Sequence, residues 1–370
     1  MHKYNWQQPD WPHFKYDLNG LQEALFSIAE KMGFIAGKVK HLSENLQTEA
    51  LIDLMVEEAV KTSKIEGEKI NPSDVRSSIK NKLGLNEKKI VVKDKRAQGI
   101  SDLMMDVRKT YKESLTEDKL FDWHLMLLSG SFNPRLVIGR YRTDEEPMQI
   151  VSGYEGRQTV HFEAPPAKQV SQEMQRFIRW FDHTGKGKPD FIPNPAVRAA
   201  IAHLYFESIH PFDDGNGRIG RAIAEKALSQ GFGYPVMLSL SQAIDANKKA
   251  YYHALKTASR SNEITEWISY FIGVIAKAQE EVEIQINFIL GKSLFFQKFE
   301  KMLNERQLKV IKKMMQAGTK GYEGGMSAKK YMAITDVSKA TATRDLQYLV
   351  DIEAFRQIGE GRSVRYQLMI

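Results

Sequence analysis

Between His210 and Arg221 the chain reads HPFDDGNGRIGR, which brings an imidazole, two carboxylates, a glycine-flanked asparagine and two guanidinium groups into twelve consecutive positions. Upstream, Val197, Ile201, Leu204, Tyr205 and Ile209 form one helical face, and Pro211 restricts the backbone of His210, so a helix is expected to end there. Asp213, Asp214, Gly215, Asn216 and Gly217 are turn formers, and from Arg218 onward RIGRAIAEKAL resumes a helical pattern. A glycine-bearing loop that runs into a helix N-terminus offers free N–H groups and the positive end of a dipole to an anion.

Arg218 and Arg221 fall where that dipole disfavours positive charge, so a strong anion is needed to offset them. Three residues apart, they share a face and could fork onto successive phosphates. Asp214 would repel a phosphate unless a divalent cation stood between them, and Mg²⁺, or Mn²⁺ in its place, suits one carboxylate plus phosphate oxygens. His210 is then a candidate base for a nucleophile attacking phosphorus. Asp-Gly-Asn-Gly by itself equally describes an ordinary helix–helix turn beside a packed histidine. The spacing also leaves open which phosphorus is attacked.

The elements that must position these groups are mostly helical. Leu18, Leu21, Leu25, Ile28 and Met32 recur at three- and four-residue steps, as do Leu51, Leu54 and Met55, and Met174, Phe177, Ile178 and Phe181. Around MQIVSGYEGRQTVHFEAPP two strand-like stretches flank a turn containing Gly153 and Gly156, and Pro165 with Pro166 ends the second. This hairpin could pair an extended peptide along its edge or simply pack on the helices. A long helix from Ile264 to Leu290 is expected to lead into a linker. Beyond it, a helix over Glu305 to Ala317, a glycine-rich loop, short helices near Ser327 and Ser338, and a hairpin with Gly359 and Gly361 at its tip resemble a winged helix-turn-helix.

Residues 301–370 carry 13 Lys and Arg against 7 Asp and Glu, so this module is basic and DNA is a candidate partner beside protein. The absence of cysteine excludes a disulfide framework and thiol chemistry. No apolar run is long enough to span a bilayer, and the opening MHKYNWQQPDWPHF does not read as a signal peptide, so no membrane partner and a cytoplasmic location are expected. GKS at Gly291 to Ser293 is not a phosphate loop, because Ile286 stands where the first glycine is required. His203 and His124 read as packed histidines.

The run HPFDDGNGRIGR matches the Fic signature HPFxDGNGRxxR at every specified position, and the similarity continues through GRYRTDEEPMQIVSG, VHFEAPP and AYYHAL, from about Leu120 to Ile275. The chain therefore resembles Fic-domain proteins. The resemblance implies a mainly α fold: a Fic-type helical bundle with a β-hairpin flap, plus the small C-terminal winged module. It divides the chain into residues 1–110, a core of 111–280 and 281–370. It also implies transfer of AMP from ATP to a hydroxyl of a protein, possibly of the chain itself, with release of pyrophosphate. His210 resembles the base and Asp214 the metal ligand. Gly215, Asn216, Gly217, Arg218, Ile219, Gly220 and Arg221 resemble the ATP-binding turn, with Tyr252 lining the nucleotide pocket and Phe212 anchoring the loop. Met148, Gln149, Ile150 and Val151 resemble the flap that positions the target. The kinase-like branch of the family has Lys where Gly217 stands, which favours AMP as the transferred group.

A second motif is TSKIEG, residues 62–67, at the end of an expected helix with Gly67 suited to a left-handed cap. Taken alone, Glu66 is a solvated helix-end carboxylate. By resemblance, Thr62, Glu66 and Gly67 match the inhibitory pattern [ST]xxxE[GN], which implies that Glu66 pairs with Arg221 and denies it to ATP. Two alternatives are that Glu66 activates water to remove AMP from protein, and that the chain is a DNA-binding regulator with an inactive Fic core. Family likeness and symmetry statistics make a homodimer the default.

Overall fold

A computed structural model describes residues 3–131, 133–152 and 159–370. Among these, the helices are α1 (Gln22–Lys40), α2 (Glu44–Ile65), α3 (Pro72–Lys82), α4 (Lys95–Lys109), α5 (Glu117–Leu128), α6 (Ala167–His183), α7 (Pro195–Ile209), α8 (Asn216–Phe232), α9 (Leu240–Ala246), α10 (Lys248–Ala258), α11 (Thr265–Phe299), α12 (Glu305–Met315), α13 (Ala328–Thr335) and α14 (Lys339–Asp351). The strands are β1 (Gln149–Ser152), β2 (Thr159–Glu163), β3 (Phe355–Ile358) and β4 (Arg365–Leu368). The fold is mainly helical, with strands confined to two separate antiparallel pairs.

Two compact units result. One comprises the chain up to Gly37 together with Leu51–Val282, so the regions read as 1–110 and 111–280 fall in the same unit. The other comprises Lys38–Ala50 and Glu283–Ile370.

In the first unit α7 and α8 form the central pair. The sequence pattern implied one apolar face on α7, yet its residues are buried nearly all round, from Ala196 to Ile209 with Glu207 as the chief exception. Small residues explain this: Ala196, Ala199, Ala200 and Ala202 let neighbours approach from every side. Asn194 caps the helix by accepting from the N–H groups of Ala196 and Val197, and Pro195 takes the first position, where its missing N–H costs nothing. At the other end His210 is left-handed, with φ 51° and ψ 60°, a conformation that costs a non-glycine residue about 1–2 kcal/mol.

The next helix starts earlier than the pattern suggested. Gly215, at φ 86°, turns the chain, and Asn216 and Gly217 are already helical. Arg218 is thus the third helical residue, and Arg221 lies a turn further in.

The hairpin pairs Gln149 with Glu163, Ile150 with Phe162 and Val151 with Val160, with a register irregularity after Ile150. Its expected turn glycines, Gly153 and Gly156, lie outside the described residues. The aromatic N-terminal segment buttresses this strand pair. Tyr4 stacks edge-on against Phe162, and the Trp6 indole donates to the Glu163 carbonyl at 2.7 Å. Asn5 reaches the Ser208 hydroxyl on α7 at 2.8 Å.

The second unit has its own core around Phe295, Phe299, Val310, Ile311, Tyr331, Leu346 and Phe355. Its order of three helices and a hairpin, with Gly359 and Gly361 between β3 and β4, follows the order expected from sequence. The expected linker after Leu290 is absent, because α11 runs on to Phe299 and the GKS run lies inside it. Gly291 does not stop this helix; a side chain there would collide with Ile370, which packs against it.

Candidate functional site

The loop from His210 to Gly215 is held almost entirely through backbone groups. Arg142, 3% exposed, donates from Nε to the His210 carbonyl at 2.8 Å, and from Nη2 to the carbonyls of Ile209 and Pro165. Its own N–H donates to Pro211 O. The guanidinium therefore sits on the negative end of α7 and helps to fix the unusual backbone of His210.

From the opposite side, His124 stacks on Phe212 with centroids 4.0 Å apart. Its Nδ1 accepts from Gly139 N–H at 3.0 Å, so Nε2 carries the proton and donates to the Asp214 carbonyl at 3.1 Å. The side chain of Asn216 closes a ring on Phe212, accepting from its N–H and donating to its carbonyl. Asp213, given no role by the sequence, accepts from Val137 N–H.

The end of α2 meets the start of α8. Gly67, at φ 84°, and the Glu68 N–H bonded to Ser63 O close the helix and turn Glu66 toward α8. Glu66 Oε1 accepts from Arg221 Nη2 at 2.8 Å, while Arg221 also donates to the Thr62 hydroxyl at 2.8 Å and the Thr62 carbonyl at 3.2 Å. A Cβ on Gly217 would lie 2.3 Å from the Glu66 carboxylate oxygen. Glycine at this position is what lets a carboxylate settle on the helix end.

Arg218 is also claimed twice, by Glu68 at 2.9 Å and by Asp214 at 3.1 Å. The anions that the arginines were expected to need are thus supplied by protein carboxylates. Burial opposes the charge of Arg221, but Glu66 and Tyr251 outweigh it and the net shift of its pKa is upward.

Glu66, Gly217 and His210 line a cavity of about 590 Å³, within the usual range for small-molecule sites. Ile150 and Val151 of β1 and Tyr252 of α10 also line it. Burial, and secondarily the Arg142 charge, pulls the His210 pKa down to about 4, so its imidazole is neutral near pH 7. Burial pushes Tyr252 up to about 12.

Several residues that the sequence grouped with the site stand elsewhere. Ile219 is core, with its N–H bonded to the Gly215 carbonyl. Gly220 backs onto Glu207 and His203. Asn216 is occupied in bracing the loop. Met148 packs with Tyr4 and Phe162, and Gln149 bonds to Glu163.

Sequence reasoning missed Glu68, although it lies two positions past Glu66. It missed Arg142, inside the quoted GRYR, and it took His124 for packing alone. It also missed the anchors of α2: Asp245 pairs with Lys61 and Lys64, and Lys248 bonds to the Ile65 carbonyl. Buried Glu58 accepts from Ser239 and Ser241.

The chain is similar to known proteins in three stretches of sequence and in fold. Residues 114–228 match the Fic/DOC family, residues 4–85 a domain of unknown function (DUF4172), and residues 323–369 the C-terminal domain of the DIP2311-like transcriptional regulators. The chain carries a Fic/DOC domain. It is 28% identical over 220 residues to the protein adenylyltransferase Fic of Nematostella vectensis, covering 58% of this chain and 45% of that protein. It is 34% identical over 108 residues to the Drosophila ananassae protein of the same name, covering 29% of this chain and 19% of that protein. The chain thus spans less than half the length of these relatives. In fold it is similar to a Fic family protein from Desulfovibrio desulfuricans G20, with a TM-score of 0.54 at 21% identity over 97% of this chain and 98% of that one. A Fic domain containing signaling protein from Bacteroides thetaiotaomicron gives 0.53 at 16% identity, over 72% and 95%.

The clearance at Gly217 is testable. Gly217→Ala should displace the Glu66 carboxylate, so in a double-mutant cycle with Glu66→Gly the two changes should depart from additivity by about 1 kcal/mol or more in denaturant unfolding. Additive effects would show that the missing side chain has no bearing on the pair.

Proposed function

We propose that the chain is a protein adenylyltransferase, and that the structure describes its restrained state. The observation that carries this reading is the carboxylate of Glu66 seated on the α8 N-terminus against Gly217 and Arg221, inside the cavity that His210 lines. A carboxylate there occupies ground suited to a phosphate. The names of the adenylyltransferase relatives support the choice of reaction.

In this reading the hydroxyl oxygen of a Ser, Thr or Tyr, on another protein or on the chain itself, attacks the α-phosphorus of ATP. His210 takes the hydroxyl proton at its cavity-facing nitrogen. The bond from the α-phosphorus to the bridging oxygen breaks, and the electron pair leaves with pyrophosphate. Arg218 and Arg221 hold the phosphate oxygens once Glu68 and Glu66 release them, while Arg142 and His124 keep the loop in place.

Asp214 would hold a divalent ion. Its carboxylate is half exposed, and its Oδ2 makes no hydrogen bond among the described residues. Among the described residues no group of three or more acidic or histidine side chains is placed to hold an ion there, so phosphate oxygens and water would complete the shell, as suits Mg²⁺ or Mn²⁺. When bound, such an ion neutralises phosphate charge during transfer.

Glu66 itself lines the cavity. The same carboxylate could therefore activate water against an AMP-modified side chain. Glu66-dependent release of labelled AMP from a modified target would favour that direction.

Incubation with labelled ATP and Mg²⁺ tests the main reading. A charge-assisted hydrogen bond worth about 1.5–3 kcal/mol sets the scale, so Glu66→Gly should raise transfer by about one to two powers of ten, and His210→Ala should abolish it. Equal labelling by wild type and Glu66→Gly would reject the restraint. Salt-sensitive DNA binding without any transfer would favour a regulator instead.

Glu68→Gln removes a partly exposed pair and should raise transfer only about two- to fivefold. With His210 already neutral, the rate of the Glu66→Gly variant should stay level from about pH 8 down to pH 6, where an unperturbed histidine would become protonated. Removing Glu66 takes away an influence that raises the His210 pKa, so the sign is unchanged.

A further inference from the structure

On α7, Glu207 lies one turn before His210, on the same face. Its Oε2 is 3.7 Å from His210 Nδ1. Four buried polar atoms here have no hydrogen-bond partner among the described residues: His210 Nδ1, Glu207 Oε1, His203 Nδ1 and Arg221 Nη1. Buried polar groups are nearly always paired, and orphans gathered in a cavity wall call for an explanation.

Because Nδ1 is enclosed, the nitrogen of His210 that faces the cavity is Nε2. A neutral imidazole whose Nε2 is free to accept a proton must carry its own hydrogen on Nδ1. That hydrogen needs an acceptor, and Glu207 offers two: its backbone carbonyl, whose hydrogen bond to the ring already acts to raise the His210 pKa, and its side chain. We propose that Glu207 is the positioning residue of His210: its side-chain oxygen accepts the Nδ1–H and fixes the tautomer whose Nε2 receives the proton of the incoming hydroxyl. The description of His210 as a base rests on the transfer reading given above; the pairing itself does not.

The packing around Gly220 leaves room for Glu207. A Cβ at Gly220 would stand 2.7 Å from Glu207 Oε1, so α8 has no side chain where the carboxyl group lies. Arg221 is engaged with Glu66 and Thr62 through Nε and Nη2, and His203 with the Tyr251 hydroxyl at 2.8 Å through Nε2; Arg221 Nη1 and His203 Nδ1 are left on the Oε1 side of Glu207, while its Oε2 faces His210.

A separation of 3.7 Å exceeds a hydrogen bond by less than 1 Å, and catalytic hydrogen bonds are commonly long before the substrate is bound. Burial foremost, then the neighbouring Glu66, pushes the Glu207 pKa up to about 8. The role requires an acceptor oxygen rather than a charge, so it is met in either protonation state.

The test uses the full chain with ¹⁵N-labelled histidine, the His210 signals being identified by their loss in His210→Ala. In the wild type and in Glu66→Gly the Nδ1–H form should dominate. Glu207→Met should shift the population toward Nε2–H, and Glu207→Gln, which keeps a carbonyl oxygen, should restore it. In the Glu66→Gly background Glu207→Met should lower kcat by about ten- to a hundredfold at an unchanged KM for ATP, with Glu207→Gln recovering most of the loss. Thermal melting should show the variants folded, since an unpartnered buried carboxyl has been removed.

An unchanged tautomer in Glu207→Met would overturn the proposal, because the backbone would then suffice. So would a KM that rises in step with the fall in kcat. Should Glu66→Gly transfer no AMP at all, the proposed activity fails, while the tautomer populations still decide the role of Glu207.

Discussion

Arg221 is a full positive charge with almost no access to water, and the architecture around the cavity follows from the need to neutralise it. A buried charge stripped of its partner costs about 3–5 kcal/mol, so an anion must stand beside this guanidinium in every populated state. Only a few places satisfy that need together with the N–H groups of the α8 terminus. Glu66 takes one of them, across the bare backbone of Gly217. A phosphate would satisfy the same groups, and the two could not be present together. Under the proposed function one anion would exchange for the other here, the arginine staying put while its partner changes.

The loop underneath does not depend on which anion meets Arg221. Asn216 bonds to Phe212, His124 bonds to the Asp214 carbonyl, and Arg142 bonds to the carbonyls of Ile209, His210 and Pro165. These contacts leave the exchangeable groups untouched. His124 is kept neutral by burial, which pulls its pKa down to about 4, so its role as a donor does not change with pH near neutrality. Arg142 needs no carboxylate partner, because the carbonyls of Ile209, His210 and Pro165 satisfy it. The His210 imidazole thus stands on a framework of backbone hydrogen bonds, whereas Arg218 and Arg221 are met by the carboxylate side chains of Glu68, Asp214 and Glu66.

The sequence disclosed the residues of the proposed chemistry more fully than those that hold them. The His210–Arg221 run and the Thr62–Gly67 motif were legible because each combines residue types that ordinary packing does not place together. The end of α7 at His210 followed from Pro211, and the hairpin from its alternation. The start of α8 did not, because Asn216 and Gly217 are weak helix formers made helical by the ring of bonds to Phe212 and by burial. The continuation of α11 past Gly291 was illegible for a similar reason, since packing of Ile370 against that glycine is a contact between distant residues. Arg142 and Glu207 carry no local signal at all. An isolated arginine or glutamate in a sequence reads as solvated, and only the fold shows that these two are enclosed.

The anchoring of α2 indicates how the anion exchange could proceed. Glu58 accepts three hydrogen bonds from Ser239 and Ser241 in a buried position, and Asp245 holds both Lys61 and Lys64. Lys248 and Tyr252 both bond to the carbonyl of Ile65, the last residue of the helix. Withdrawing the whole helix would strip a buried carboxylate of its donors, a cost of several kcal/mol, in addition to losing the apolar burial of Ile52, Leu54 and Met55. Glu66 lies one residue beyond these attachments and is followed by a glycine in the left-handed region. Rotation of its side chain away from Arg221 breaks a single charged contact, and an arriving phosphate would replace that contact at once. In the proposed reading, release by local rotation would therefore cost far less than release by displacement of the helix, and the firm anchoring of α2 would keep the carboxylate close enough to return.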